Sequence, residues 1–474
     1  MEERTLKILF VASECVPFSK TGGLADVVGA LPKCLAGRGH EVSVVLPRYR
    51  KTPAGPVLLR NLSIPVGEEL HFADIQDGRA QEGVRYFFVD YPPYFDRDGL
   101  YVDGGADYPD NAQRFALFAR AALELMKRTG VPELIHCHDW QSALVPVVPV
   151  VFTVHNLGYQ GLFPRQTLAA LGLPESLFTM EALEFYGQVN LLKGGLVFAD
   201  FVSTVSRKYA QEIQTEEYGH GLDGVIRQRA ATVTGIVNGV DYSEWSPETD
   251  KFLAANYSAD KLDGKRACKK DLLEQFRLPA TDLKKPLVGI VSRFATQKGF
   301  DLIAEVADEL MENDLKVVAL GTGEPEFEKL FRELAERFPK KFAVRIAYDN
   351  ALAHKIEGGS DIFLMPSRYE PCGLNQIYSL KYGTVPVVRA TGGLDDTIEP
   401  FDARTGRGTG FKFGEYAGEA LLDCLEQAVH VYGRNPEAWR RLMENGMRKD
   451  FSWNTSAADY ERLYQRVVKG APPR

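Results

Sequence analysis

Short apolar runs rich in β-branched residues recur along this chain, and segments with helical spacing separate them. In order, the runs are LKILFVAS, EVSVVLP, ELIHCH, VVFTVHN, DFVSTVS and VTGIVNG, and then PLVGIVS, LKVVAL, FAVRIAY, DIFLMPS and TVPVVRA. Runs that are apolar on both faces are typical of parallel strands covered by helices on each side. Between Gly299 and Asn313 the apolar side chains fall on one helical stripe. The repeated strand–helix–strand order predicts a doubly wound α/β protein.

The alternation is interrupted once, between Tyr242 and Lys285, where the sequence is polar and charged and contains no clear strand. A chain of 474 residues is long enough for two or three domains. We therefore predict two Rossmann-like domains, at 1–243 and 255–450, followed by a C-terminal helix at 451–474. This helix carries a possible docking stripe of aromatic and aliphatic side chains: Trp453, Ala457, Tyr460, Leu463 and Tyr464.

The composition argues against several classes of partner. The formal net charge of -8 leaves no excess of cations, which nucleic acids and anionic membrane surfaces require. The six cysteines include no CxxC pair, which disfavours a zinc ribbon or a disulfide scaffold and fits a reducing compartment. No signal-peptide pattern opens the chain, and no apolar run reaches the ~18 residues of a membrane span. We expect a cytoplasmic protein.

The segment SKTGGL joins the first apolar run to a helix and contains Lys20, Gly22 and Gly23. Open parallel sheets bind ligands at the carboxyl ends of their strands. Glycines at such a turn let a phosphate approach the backbone, the helix N-terminus adds partial positive charge, and Lys20 adds a full charge. The segment therefore predicts a phosphate site. The alternative is that the glycines only make a tight turn and that Lys20 is solvated.

Two further runs end in histidines. The run HCHDW contains His136, His138 and Asp139, a pattern that binds zinc in some hydrolases, so a zinc hydrolase is an alternative function. No HExxH follows, and burial of a strand histidine in the core is the competing interpretation. The run FTVHN places His155 and Asn156 at the carboxyl end of a strand, where they would face the same crevice as Lys20. We therefore treat His155 as a candidate site residue.

The second half of the chain places charges at two strand ends. SRFATQKG contains Arg293 and Lys298, and SRYEPCGLNQ contains Glu370 ahead of a helix predicted to begin near Gly373. Two cations and a helix N-terminus that face one cleft would bind a pyrophosphate without a metal ion. The alternative is a surface ion pair among these charges.

One junction is too short for the predicted topology. Only about ten residues separate the strand that ends at His138 from the strand that starts near Pro149, although a parallel crossover usually needs a dozen or more. We therefore predict that residues are missing near Val147 to Pro149.

Six segments together resemble bacterial glycogen synthase and plant starch synthase, the ADP-glucose-dependent group. They are KTGGLADVVGALPKCL, HCHDWQSALVP, FTVHNLGYQG, NGVDYSEWSPETD, SRFATQKGFDL and PSRYEPCGLNQIYSLKYGTVPVVRATGGL. The resemblance runs over nearly the whole chain. It implies a GT-B fold, with two Rossmann-like domains facing across a cleft and a final helix crossing back to the first domain. It also implies transfer of glucose from ADP-glucose to the non-reducing end of an α-1,4-glucan, with retained anomeric configuration.

The resemblance also implies roles for individual residues. Arg293 and Lys298 would neutralise the charge that grows on the departing ADP, so that neither a metal nor another cofactor is expected. His155 would lie near the anomeric carbon and the C6 hydroxyl, Glu370 would hold the glucose hydroxyls, and Asp139 would line the acceptor side. The remaining substrate contacts would be Lys20, Gly22, Gly23, Asn156, Asn238 near the transferred glucose, Tyr348 on adenine, and the backbone at Cys372, Gly373 and Leu374.

Some alternatives remain open at the level of sequence. A catalytically inactive glucan-binding relative is one of them, although the intact charged residues speak against it. No carboxylate is placed as an obvious nucleophile, which favours a mechanism in which the leaving phosphate accepts the proton of the acceptor. A mature plant enzyme would lie in the plastid stroma. The sequence leaves open glycogen or starch as the product, and the oligomeric state.

Overall fold

The computed structural model describes residues 4–145, 150–281 and 283–470. The chain divides into two compact units. The first contains Met1–Gly239 together with Trp453–Arg474, and the second contains Val240–Ser452.

A nine-stranded sheet forms the centre of the first unit, in the order β9-β8-β7-β6-β1-β2-β5-β4-β3. The strands are β1 Lys7–Val11, β2 Glu41–Pro47, β3 Val57–Val66, β4 Glu69–Gln81, β5 Val84–Asp90, β6 Leu134–His138, β7 Val150–Val154, β8 Phe201–Thr204 and β9 Val233–Gly235. From β9 to β5 all neighbouring strands are parallel, as the doubly wound prediction requires. The antiparallel edge of β3 and β4 was not predicted. In β3 buried Leu62, Ile64 and Val66 alternate with exposed residues, and this period of two is the signal that was overlooked.

The second unit contains a six-stranded sheet whose strands are all parallel, in the order β12-β11-β10-β13-β14-β15. The strands are β10 Leu287–Val291, β11 Lys316–Gly321, β12 Phe342–Ile346, β13 Ile362–Met365, β14 Val385–Arg389 and β15 Phe411–Phe413. Each central strand is buried on both faces, which explains why the sequence shows continuous apolar runs rather than alternation.

The helices of the first unit are α1 Gly23–Gly37, α2 Asn111–Thr129, α3 Leu191–Phe198, α4 Arg207–Glu212 and α5 Asp223–Gln228. Those of the second unit are α6 Asp263–Gln275, α7 Phe300–Glu305, α8 Ala307–Glu312, α9 Pro325–Arg337, α10 Asn350–Gly359, α11 Asn375–Lys381, α12 Gly392–Thr397, α13 Gly418–Arg434 and α14 Pro436–Met447, and α15 Trp453–Val468 returns to the first unit. One-turn helices occur at Pro92–Phe95 and Thr167–Ala170, and 3-10 turns at Trp140–Ser142, Glu175–Leu177, Ala230–Thr232 and Thr296–Lys298. Two small antiparallel sheets pair Leu162–Pro164 and Glu184–Phe185 with Gln188–Asn190, and Val102–Asp103 with Ala106–Asp107.

Local sequence explains several helix starts. Asn190, Ser206 and Asp349 cap α3, α4 and α10, because their side-chain oxygens accept a backbone N–H of the first turn. The single helix expected between Gly299 and Asn313 is instead two short helices, which meet at Val306 with a φ of −118°. Beside this break the Glu305 carboxylate accepts the amide of Gly418, at the start of α13.

Helix α15 packs against the first unit through the predicted stripe. Trp453, Ala457, Tyr460, Leu463 and Tyr464 are all buried in one cluster with side chains of β1, β2 and α1. Complete burial of an apolar or aromatic side chain contributes about 1.5–3 kcal/mol, so the stripe stabilises the packing of this helix.

The short junction lies between β6 and β7. These strands are parallel neighbours, with Ile135 opposite Val150, as the sequence predicted. The predicted absence of residues concerns Val147 to Pro149, which lie outside the described residues, so it stays a prediction. In the described chain, no helix is long and apolar enough to cross a membrane.

Candidate active site

The KTGG segment follows β1 and leads into α1, as expected, but its polar groups are engaged within the chain. The Lys20 ammonium lies 2.6 Å from the Asp26 carboxylate. The buried Glu14 carboxylate accepts hydrogen bonds from the Thr21 amide, from the Thr21 hydroxyl at 2.6 Å and from the Gly22 amide at 3.4 Å. This segment is therefore organised by a carboxylate that the sequence did not single out.

Nothing in the described structure requires glycine at the two predicted positions. Gly22 has extended backbone, and a Cβ added at Gly22 or Gly23 would meet no described atom within 4 Å. Neither glycine has the positive φ at which a turn would need glycine. The missing side chains instead leave open space beside Lys20.

Three residues predicted from the histidine runs lie together at the ends of β6 and β7. The backbone N–H of His155 donates to Asp139 at 2.8 Å, and the Asn156 side chain accepts from the Gly158 amide. Asp139 has a φ of 53°, a strained backbone conformation of the kind that clusters at functional sites. Burial raises the pKa of Asp139 and the charge of Glu14 raises it further, so the KTGG segment and this cluster share one neighbourhood.

The histidines of this cluster are neutral. The rings of His136 and His138 are 4.1 Å apart, and Nδ1 of His138 lies 2.9 Å from Nε2 of His155. Burial holds the pKa of His136 and of His138 well below 6.5 and lowers that of His155 to about 3. Burial likewise raises the pKa of Asp139 to about 7, even though the His155 amide stabilises its charge. This end of the first sheet therefore presents hydrogen-bonding groups with little fixed charge.

His136 and His138 are both core residues. His136 bonds Thr153 at 2.6 Å and the Tyr464 hydroxyl at 2.7 Å. Within the described ranges, no group of three or more His, Cys, Asp or Glu side chains is arranged to hold a metal ion. The metal-free chemistry expected from the sequence stays a prediction.

Asn238 is buried, with 4% of its surface exposed. Its side-chain oxygen has no hydrogen-bond partner in the described part of the chain. A buried polar atom without a partner costs free energy, and a ligand that donates to it would remove that cost. Asn238 is therefore suited to the substrate contact that was predicted for it.

In the second unit the structure brings Lys298 and Glu370 together. The Lys298 ammonium lies 2.6 Å from Oε2 of Glu370, and the Ser367 hydroxyl donates to the same oxygen at 3.1 Å. The Glu370 side chain is only 7% exposed, so this is not a surface ion pair. Gly299 follows Lys298 with a φ of 71°, and a Cβ there would lie 2.0 Å from the Pro366 carbonyl oxygen. Only glycine fits the turn that carries Lys298.

Arg293 is exposed at the end of β10. Among the residues that the structure describes, its guanidinium has no hydrogen-bond or ion-pair partner. A cation without such a partner can bind an anion without first breaking an existing contact.

The backbone from Cys372 to Leu374 is oriented by Gln376. The buried Gln376 amide donates to the carbonyl oxygens of Cys372 at 2.9 Å and Gly373 at 3.1 Å. The C=O and N–H of a trans peptide point in opposite directions. The N–H groups of Gly373 and Leu374 therefore point away from Gln376, as a site that binds oxygen atoms through backbone amides requires.

Tyr348 follows β12 and is 84% exposed. An aromatic face this open is available for stacking on a planar ring. The structure thus supplies the exposed ring that was expected at this position.

Sequence patterns missed three residues that organise this site. Glu14 belongs to no motif, Gln376 ends the segment SRYEPCGLNQ without being singled out, and Tyr101 donates to Glu14 from 87 positions away. The one available signal was a carboxylate directly after a strand, at Glu14, seven residues before Thr21.

Two family profiles match the chain, one for each half. The starch synthase catalytic domain matches residues 7–228, and glycosyl transferases group 1 matches residues 273–448. A glycogen synthase of Koribacter versatilis is 58% identical, with 99% of each chain covered, and one of Moorella thermoacetica is 46% identical, with 98% of each covered.

Two solved structures have the same fold. The catalytic domain of Starch Synthase IV from Arabidopsis thaliana, bound to ADP and acarbose, has a TM-score of 0.89 and 35% identity, and the match covers 98% of this chain and 100% of that one. Sucrose-phosphate synthase from Thermosynechococcus elongatus has a TM-score of 0.61 at 18% identity, which shows the fold alone.

Proposed function

Because the chain belongs to the glycogen and starch synthase family and is a glucosyltransferase of glycogen or starch synthesis, we propose that its donor is ADP-glucose and its acceptor the non-reducing end of an α-1,4-glucan. The configuration at the anomeric carbon is retained. The similar starch synthase was solved with ADP and acarbose, which supports this donor and acceptor.

The observation that carries the proposal is the cation arrangement of the second unit. Arg293 has a free guanidinium among the described residues, and Lys298 is held 2.6 Å from Glu370. Both follow β10, where an open parallel sheet binds its ligand. These groups bind the diphosphate and stabilise the negative charge that develops on ADP as the glycosidic bond breaks. No metal ion is needed for this role.

The carboxylates of the site are not placed for covalent catalysis. Glu370 is paired with Lys298 through one oxygen, which leaves the other for glucose hydroxyls. Asp139 is bound to the His155 amide, and its raised pKa of about 7 weakens it as an anion near neutral pH. We therefore assign proton acceptance to the leaving group. The bond from C1 to the ADP oxygen breaks, the bond from C1 to the acceptor oxygen forms, and the acceptor's proton moves to a phosphate oxygen of ADP.

The first unit supplies groups that match neutral sugar hydroxyls. Three features suit a polyhydroxylated ligand: the neutral His155 imidazole, the Asn238 oxygen that has no partner among the described residues, and the open space at Gly22 and Gly23. The Lys20 charge is compensated by Asp26, whose carboxylate lies 2.6 Å away. We place the reaction in the cytoplasm, since the similar enzymes are bacterial.

A donor comparison tests the proposal. The purified protein is incubated with glycogen and either ADP-glucose or UDP-glucose, with and without EDTA, and the released nucleotide and the glucose incorporated into polymer are both measured. We expect equal amounts of ADP and incorporated glucose, little turnover of UDP-glucose, and no effect of EDTA. Glucan binding without release of ADP would instead identify a catalytically inactive relative.

A further inference from the structure

His138 is buried completely and contacts His155 through one ring nitrogen. Its Nδ1 lies 2.9 Å from Nε2 of His155. Its other nitrogen, Nε2, is buried and has no hydrogen-bond partner in the described structure. The ring of Phe10 stacks on one side of His138 at 5.6 Å, and the ring of His136 lies 4.1 Å away. The imidazole of His138 therefore makes one hydrogen bond in the described structure and otherwise packs against rings.

Two neutral arrangements of the proton are possible in the bond between the rings. If His155 donates from Nε2, His138 must carry its own hydrogen on its Nε2, which leaves a buried N–H without an acceptor. If His138 donates from Nδ1, its Nε2 is a bare lone pair. Buried N–H groups without a partner are rarer in proteins than acceptors without a donor, so the second arrangement is favoured. A doubly protonated ring is disfavoured by the burial of both side chains.

We infer that His138 is a positioning residue that fixes the tautomer of His155, so that His155 presents an N–H at Nδ1 to the substrate. Because Nε2 of His155 accepts from His138, the single proton of the neutral ring resides on Nδ1. This nitrogen has no partner among the described residues, and His155 is half-buried at the end of β7. The imidazole donates to a sugar or phosphate oxygen and does not accept a proton from the acceptor hydroxyl.

This inference rests on the proposed role of His155 at the substrate, but its first test does not. Nitrogen NMR of the full chain, with ¹⁵N-histidine and no ligand, distinguishes protonated from bare ring nitrogens. The His155 signals are identified by their loss in His155→Gln. We expect a protonated Nδ1 and a bare Nε2 in His155. A protonated Nε2 with a bare Nδ1 would overturn the inference, whatever the enzyme's substrate.

Variants of His138 supply the kinetic test. The amide nitrogen of asparagine can take the place of Nδ1 and still donate, whereas the carboxylate of aspartate can only accept and would draw the proton of His155 to Nε2. We expect His138→Asn to retain most of the turnover, and His138→Asp to lose a transition-state donor at a cost on the order of a hundredfold in kcat.

His138→Leu, which has no polar atom, should lose a similar factor while thermal unfolding shows a folded protein. Tyr464→Phe is the matched control, because it alters only the partner of His136. It should leave the His155 signals unchanged. Equal losses in His138→Asn and His138→Leu would contradict a role of the donated proton and would assign His138 to packing alone. If His138→Asp does not fold, the inference is still tested by the NMR spectrum of the unmodified protein and by the comparison of kcat between His138→Asn and His138→Leu.

Discussion

The strand ends of the two units carry opposite kinds of chemistry. At the ends of β6 and β7 in the first unit the candidate residues are neutral or nearly so, because burial depresses the pKa of three histidines and raises that of Asp139 to about 7. In the second unit the candidates are charges: Lys298 is paired with Glu370, and Arg293 has no side-chain partner among the described residues. Both sets lie at the carboxyl ends of parallel strands, so the shared topology does not explain the difference.

The difference matches the two parts of a nucleotide sugar reaction. A diphosphate is bound by fixed cations, whose charge is most valuable when the leaving group becomes more negative. Sugar hydroxyls are neutral and are recognised by donors and acceptors held in place by the surrounding hydrogen bonds. Parallel sheets in the two units thus support two recognition modes through different side chains at their strand ends.

The largest loss of turnover is expected from removing the Arg293 guanidinium. Arg293→Ala should lower kcat by about a hundredfold, the typical loss for one preorganised donor at a developing charge. Arg404→Ala is the matched control, since its side chain is 92% exposed in the same unit. Steady-state kinetics with thermal unfolding of both variants provides the measurement. A loss of less than about fivefold would remove Arg293 from the phosphate site.

The next largest effect is expected from Glu14, because its carboxylate holds the KTGG segment in place. Glu14→Gln replaces an oxygen that accepts from Thr21 and Gly22 with an amide that can donate, which should cost about 1–3 kcal/mol and raise KM for the glucan acceptor. Tyr101→Phe removes one bond to Glu14 and should have a smaller effect. Should both variants behave as the unmodified enzyme, the organisation of this segment would be irrelevant to activity.

The neutral state of the first unit predicts the direction of its pH dependence. His138 has a lowered pKa, so below pH 6.5 the unfolded chain binds a proton that the folded chain does not, and stability falls with falling pH. Asp139 has a raised pKa of about 7, so the folded chain holds an extra proton between about pH 4 and 7, and stability rises with falling pH.

Two variants should therefore change the slope in opposite senses. Around pH 5, we expect the free energy of unfolding of His138→Asn to fall less with each pH unit of acidification than that of the unmodified chain, by about 1.4 kcal/mol. The free energy of unfolding of Asp139→Asn should fall more with each pH unit, by a similar amount. Urea unfolding at pH 4.5 to 6 measures both slopes. Trp245→Phe with Trp439→Phe leaves Trp140 and Trp453 as fluorescent probes of the first unit. If both variants changed this slope in the same direction, His138 and Asp139 would not have the lowered and raised pKa described for them.

The smallest effect is expected at Tyr348. Loss of a stacking ring costs about 1–3 kcal/mol per base, and solvent exposure of this side chain favours the lower end. Tyr348→Ala should raise KM for ADP-glucose several-fold with little change in kcat, and Tyr348→Phe should restore it. If KM were unchanged in Tyr348→Ala, adenine would be bound elsewhere.

The sequence predicted the parallel sheets and the strand ends, because continuous apolar runs follow directly from burial on both faces. It therefore placed Lys298, Glu370, His155 and Asp139 correctly at strand ends. It did not predict the hydrogen bond between His138 and His155, which are 17 positions apart. The partner of each imidazole depends on the orientation of its side chain, which the sequence does not show. Glu14 was missed for the same reason, since a single carboxylate after a strand has no distinctive spacing.

The central claim is that the diphosphate is bound by the cations of the second unit and not by the neutral groups of the first. Calorimetric titration of ADP into three full-length proteins tests this directly: the unmodified chain, Arg293→Ala and Glu14→Gln. We predict that Kd for ADP rises by at least about tenfold in Arg293→Ala, since charged contacts contribute about 1.5–3 kcal/mol, and is unchanged in Glu14→Gln. An unchanged Kd in Arg293→Ala, together with a weakened one in Glu14→Gln, would contradict the account.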